Sequence, residues 1–134
     1  MGNWSDYEYC LKAVKQNGLK LKYVKEQTKE ICLEAVKQNG LALYYIKEQT
    51  KEICLEAVKQ NGYAIDYVKE QTLELCLEAV KEGEYTLRYV RNQTPELIHL
   101  MRKNNIDIIE KYLTVTKEQM DLFYKETPHL LLTL

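Results

Sequence analysis

The sequence predicts an all-α fold, an α-solenoid of six 22-residue helix-turn-helix repeats, and three observations carry that prediction. The stretch KEQTKEICLEAVKQNG runs from Lys25 to Gly40 and recurs letter for letter from Lys47 to Gly62. Cys10, Cys32, Cys54 and Cys76 lie 22 residues apart, and the same count continues to Ile98 and Met120. Asp6, Thr28, Thr50, Thr72, Thr94 and Thr116 form a parallel series, followed two residues on by Glu8, Glu30, Glu52, Glu74, Glu96 and Glu118. A fixed period of this length marks stacked supersecondary units, each too small to bury its apolar face without neighbours. The chain therefore reads as one repeat domain over residues 1–134, with units beginning near 6, 28, 50, 72, 94 and 116. The first and last units are expected to act as caps.

Each unit opens with a capped helix. Thr followed by Lys-Glu supplies an N-cap hydroxyl and a first-turn carboxylate at the positive end of the helix dipole. Asp6 replaces Thr with another capping residue, and Pro95 follows Thr94 at the one helical position that welcomes proline. In the second unit Ile31, Cys32, Ala35 and Val36 share a face, while Lys29, Glu34, Lys37 and Gln38 lie largely elsewhere. Asn39-Gly40 is expected to stop the helix through a left-handed glycine. Leu41, Leu43, Tyr45 and Ile46 then predict a second helix of about two turns. A rival reading runs one helix from Leu41 through Gln60, because Leu43, Ile46, Thr50 and Ile53 approximate a heptad stripe; Pro95 argues against it in the fifth unit. In the fourth unit Gly83 stands one place early, and in the fifth Arg102 stands where the first four units have Val. Trp4 and Tyr7 are expected to cover the N-terminal face, and Leu131 and Leu134 to fill the apolar positions of the last unit.

The pattern E-x-C-x-x-A-V-x-x-N-G followed by L-A-L-x-Y-V is carried by Glu30, Cys32, Ala35, Val36, Asn39 and Gly40 with Leu41, Leu43, Tyr45 and Ile46. It resembles a helical repeat family among the domains of unknown function (DUF), abundant in giant DNA viruses and found in some bacteria and protists. The resemblance covers residues 6–93; the last two units lose the Ala-Val pair and the Asn-Gly turn. It implies a helical repeat array and a viral source, and offers no catalytic residue to carry over.

Nineteen Lys and Arg against twenty Asp and Glu leave a net charge of -1, so no overall field steers the chain to nucleic acid or an anionic membrane. The longest apolar run, Leu130 to Leu132, is far short of a span, and MGNWSDYEY lacks the build of a signal peptide. The expectation is an intracellular, cytoplasmic protein, in a host cell if viral, with no membrane partner. The cysteines read as small buried thiols of a reducing compartment, since Ile98 and Met120 replace them at the same phase. His99 and His129 stand without companions at ligand or triad spacing. No phosphate loop, nucleophile elbow or zinc motif is present. No enzyme, cofactor or metal is expected.

Three ladders remain as candidate surfaces. Lys15, Lys37, Lys59 and Lys81, continued by Lys103 and Lys125, read as cations at helix C-termini or, alternatively, as a phosphate-contacting stripe. Tyr23, Tyr45, Tyr67 and Tyr89 read as amphipathic packing, or as stacking platforms for bases. Lys22, Tyr44, Asp66 and Arg88 occupy one phase whose chemistry changes from unit to unit. That phase is expected to be exposed and to write the specificity for a protein partner. The functional expectation is a non-enzymatic scaffold or adaptor binding a protein, with sequence-tolerant nucleic-acid binding through the Lys and Tyr ladders as the alternative.

Overall fold

The computed structural model describes residues 2–134. Six α-helices alternate with six 3-10 segments: α1 Tyr7–Gln16, η1 Gly18–Tyr23, α2 Lys29–Gln38, η2 Gly40–Tyr45, α3 Lys51–Gln60, η3 Gly62–Tyr67, α4 Leu73–Glu82, η4 Glu84–Tyr89, α5 Pro95–Lys103, η5 Glu110–Tyr112, α6 Lys117–Glu126 and η6 Pro128–Thr133. Successive α-helices pack on one another, as do η1 to η5 in turn, so the array is a helical solenoid of two-element layers.

The α-helices begin where the caps lie. The Asp6 carboxylate accepts from the Tyr9 N–H at 2.9 Å, and the Thr28, Thr50, Thr72, Thr94 and Thr116 hydroxyls each accept from an N–H three residues on. At Thr116 the bond is reciprocated, with the Gln119 side chain accepting from the Thr116 N–H. Ile31, Cys32, Ala35 and Val36 are buried together with Leu43 and Ile46, and their equivalents in neighbouring units join one continuous core.

The second element of each full unit is a 3-10 helix, six residues in two turns at three residues per turn. The segment between η2 and α3 leaves helical conformation, with Ile46 and Thr50 both extended, so the continuous helix from Leu41 to Gln60 does not form. The expected left-handed glycine is absent too. Asn39 takes an extended conformation (φ -150, ψ 109), and its side chain accepts from the Leu41 N–H. No described glycine has positive φ; the left-handed residue is Asn105, at the Asn39 phase of the fifth unit.

Glycine at this phase instead serves close approach. A Cβ added to Gly18 or Gly40 would collide with the carbonyl oxygen of Ala35 or Ala57, in the helix that lies across it. The Gly18 N–H donates to the Gln38 side chain at 2.6 Å and the Gly40 N–H to that of Gln60 at 2.5 Å. The phase continues as Gly62, then Glu84, Ile106 and Pro128. Where it is glycine, α2, α3 and α4 lie tightly across the preceding 3-10 segment; beyond it, α5 and α6 pack more loosely.

A second amide row stitches the layers. Gln27 donates to the Tyr45 carbonyl at 2.7 Å and accepts from the Lys47 N–H at 3.0 Å. Gln49, Gln71 and Gln93 make the same pair of bonds to Tyr67 and Lys69, Tyr89 and Arg91, and Tyr112 and Thr114. These bonds satisfy loop backbone that neither helix can satisfy.

The ends differ from expectation. Trp4 packs against the core, edge-on to Tyr9 and tilted over Tyr23, but Tyr7 is exposed, its hydroxyl donating to Glu30. Leu131 and Leu134 do not fill a core. Leu131 is 50% exposed, whereas Leu21, Leu43, Ile65 and Leu87 at the same phase are fully buried, the first three where the α-helix of the next unit packs on their segment.

Candidate interaction surface

The row Lys22, Tyr44, Asp66 and Arg88 lies at the penultimate position of η1 to η4, and all four residues are exposed. Tyr44 is 65% exposed, the most exposed aromatic residue of the structure. The 3-10 geometry places the row beside the ladder Tyr23, Tyr45, Tyr67 and Tyr89. Tyr44 stands edge-on to Tyr45 at 5.1 Å and to Tyr67 of the next layer at 5.2 Å. Arg88 repeats this placement with a cation, its guanidinium 5.2 Å from the Tyr89 ring centre and 5.3 Å from that of Tyr112. The Lys22 ammonium lies 5.0 Å from the Tyr23 ring centre. Lys22, Tyr44 and Arg88 thus each lean on their own layer's tyrosine, and Tyr44 and Arg88 also span the joint to the next layer.

The ladder tyrosines Tyr45, Tyr67 and Tyr89 are half-buried, as expected of amphipathic packing, whereas Tyr23 at the N-terminal end is exposed. A neighbouring phase adds rings that sequence reasoning left in the background. Tyr63 and Tyr85, both exposed, lie 4.9 Å apart, and Tyr63 also meets Tyr89. Their signal was visible, since two aromatics replace Leu19 and Leu41 at that phase. Arg91 gave no such signal. Its guanidinium reaches back to the carbonyl oxygens of Asp66, Val68 and Lys69 and ties η3 to the loop after η4.

Lys15, Lys37, Lys59 and Lys81 are exposed in the last turns of α1 to α4, where their charge opposes the helix dipole. The two ion pairs among the described residues, Lys29 with Glu52 and Lys51 with Glu74, lie at the other end of the helices and join successive layers.

All four cysteines are free and buried. The Cys10 thiol donates to the Trp4 carbonyl, and those of Cys32 and Cys54 approach the Gln27 and Gln49 side chains. Burial pushes every thiol above its ordinary range, Cys76 to about 11 against the opposing pull of Arg91. Cys32 helps line an open groove of about 350 Å³ with Gln27, Thr50 and Ile53, and Cys54 lines its counterpart one layer on. Cys32 and Cys54 thus stand in the groove walls as thiols that burial holds toward the protonated form.

His129 is exposed. His99 is buried, its ring nitrogens 3.0 Å from the Tyr124 hydroxyl and 3.3 Å from that of Thr133. Thr133 already donates to the Leu130 carbonyl, so its oxygen accepts from His99 Nε2–H and leaves Nδ1 to accept from Tyr124. Among the described residues, no helix is long and apolar enough to cross a membrane.

No curated protein and no solved structure proved similar to the chain. The domain of unknown function DUF4116 matches three times in overlapping register, over residues 6–50, 28–73 and 50–98. These matches advance by one layer each time and cover the tightly stacked helices α1 to α4 together with the start of α5. By its repeat register and the extent of that match, the chain belongs to the DUF4116 family.

Proposed function

We propose that the chain is a non-enzymatic helical-repeat scaffold or adaptor that binds a protein partner through the row Lys22, Tyr44, Asp66 and Arg88. The observation that carries this reading is the contrast between constant layers and a varied row. The stretches Lys25–Gly40 and Lys47–Gly62 share sixteen identical residues, yet the row phase that follows them presents Tyr44 and then Asp66. An exposed aromatic in such a row is costly to leave in water and suits the centre of a protein interface. Repeat arrays use extended surfaces in this way because surface residues change without disturbing the packed layers. Four buried free thiols support an intracellular, cytoplasmic setting, that of a host cell where the source is viral.

The test is capture of partners from a lysate with the tagged chain, its Tyr44→Ala variant, and nuclease treatment of parallel samples. A protein recovered with the parent chain, resistant to nuclease and lost with Tyr44→Ala, is the expected result. Recovery that depends on nucleic acid and falls steeply with salt would transfer the function to the Lys15, Lys37, Lys59 and Lys81 row.

A further inference from the structure

The same row carries information about the shape of its ligand. Packed helices lie roughly 8–10 Å apart, so one row residue is presented at about that interval. A polyproline II chain advances ~9 Å in each turn of three residues and shows the same side once per turn. Such a chain laid along the row meets Lys22, Tyr44, Asp66 and Arg88 with every third residue. It is also a backbone form that docks on aromatic-lined surfaces at low ordering cost, because it arrives already ordered. The half-buried rings of Tyr45, Tyr67 and Tyr89 beside the row, with the exposed Tyr63 and Tyr85 against them, supply that lining.

The charges specify what the third residues must be. Lys22 and Arg88 lie over tyrosine rings and neither is in an ion pair among the described residues. Asp66 is engaged by Arg91 through its backbone carbonyl, and its carboxylate is likewise outside the ion pairs. The row therefore reads cation, aromatic, anion, cation along the array. Resting on the reading that this row is the binding surface, we propose that its ligand is a proline-rich segment in polyproline II form. An acidic residue meets Lys22, a proline packs on Tyr44, a basic residue meets Asp66 and a second acidic residue meets Arg88, each three residues from the last.

Labelled peptides test this by fluorescence anisotropy against the full chain. EPPPPPKPPE and its reversal EPPKPPPPPE carry the required spacing in the two chain directions; EPKPEPPPPP has the same composition with the wrong one. At least tenfold tighter binding of one spaced peptide over the control is expected, with affinity lost on Asp66→Lys and regained when the peptide lysine is changed to glutamate. Circular dichroism of the variant checks that the exposed substitution leaves the fold intact. Equal binding of all three peptides, or binding of none, overturns the inference. If Tyr44→Ala still abolishes partner capture in that case, the row binds a ligand of another shape and the earlier reading stands. If Tyr44→Ala leaves capture unchanged, that reading falls first.

Discussion

The thiols at the cysteine phase are small buried groups of the continuous core, and a thiol reacts as the exposed thiolate. Alkylation of the native chain by iodoacetamide at neutral pH is therefore expected to be slow at all four positions and complete in denaturant, read by mass spectrometry. Rapid native labelling of Cys32 or Cys54 would mean that their grooves open onto the sulfur. His99 behaves differently because it titrates. Burial, reinforced by Lys103 and Arg102 on its own helix and opposed by Glu96, lowers its pKa below the ordinary histidine value. From α6 it meets Tyr124, and from η6 the Thr133 hydroxyl. The unfolded chain then binds a proton more readily than the native one. The stability it contributes is present above about pH 6.5 and drains as pH falls through that value toward the lowered native one. The melting temperature is expected to fall over this window, and His99→Leu, the residue that stands at this phase as Leu77, should flatten the fall. The cysteine role was legible because Ile98 and Met120 repeat the phase. The histidine role was not, because its partners lie 25 and 34 residues away and only the folding of the last unit brings them together.

At the scale of the element, the joint between a 3-10 segment and the helix crossing it is set by one atom. Gly40→Ala would drive a Cβ into the Ala57 carbonyl, and is expected to cost about 1–3 kcal/mol by overpacking. Gly62→Ala is expected to cost less, since its nearest neighbours lie at 3.1 Å and include the Glu82 and Thr86 side chains. Urea denaturation of the two variants checks the order; equal midpoints would mean that the backbone at Gly40 relaxes freely. The start of each helix was legible from Thr, Asp6 and Pro95, whose capping and dihedral preferences are local. The reason for the glycines was not. Asn-Gly after an amphipathic helix has a ready local explanation in left-handed termination, whereas close approach depends on a carbonyl 17 residues further along the chain. The fifth unit shows the same limit. Gln71 reaches the Tyr89 carbonyl 18 residues on, but Gln93 reaches that of Tyr112, 19 on, because the Asn104-Asn105 turn delays the second segment by one residue.

The molecule as a whole is a tight stack in its first four units joined to a looser pair. Each layer buries its neighbours, so a charge placed between layers propagates. Ala35→Asp or Val58→Asp, each fully buried, is expected to unfold much of the array, read as a large loss of helical signal at 25 °C. An unchanged melting midpoint would place the core elsewhere. The six-unit period was legible at this scale because identical layers must repeat their chemistry, while the loosening toward the C-terminus surfaced only as departures from the motif. The Gln27, Gln49, Gln71 and Gln93 row adds a consequence of its own. Its bonds to Tyr45, Lys47, Tyr67 and Lys69 end on main-chain atoms of the next layer, so these contacts do not depend on which side chains stand there. A whole 22-residue block could then be added or removed with the new joint forming the same backbone bonds as the old. The fold thus leaves copy number open, and the length of the exposed row follows from it.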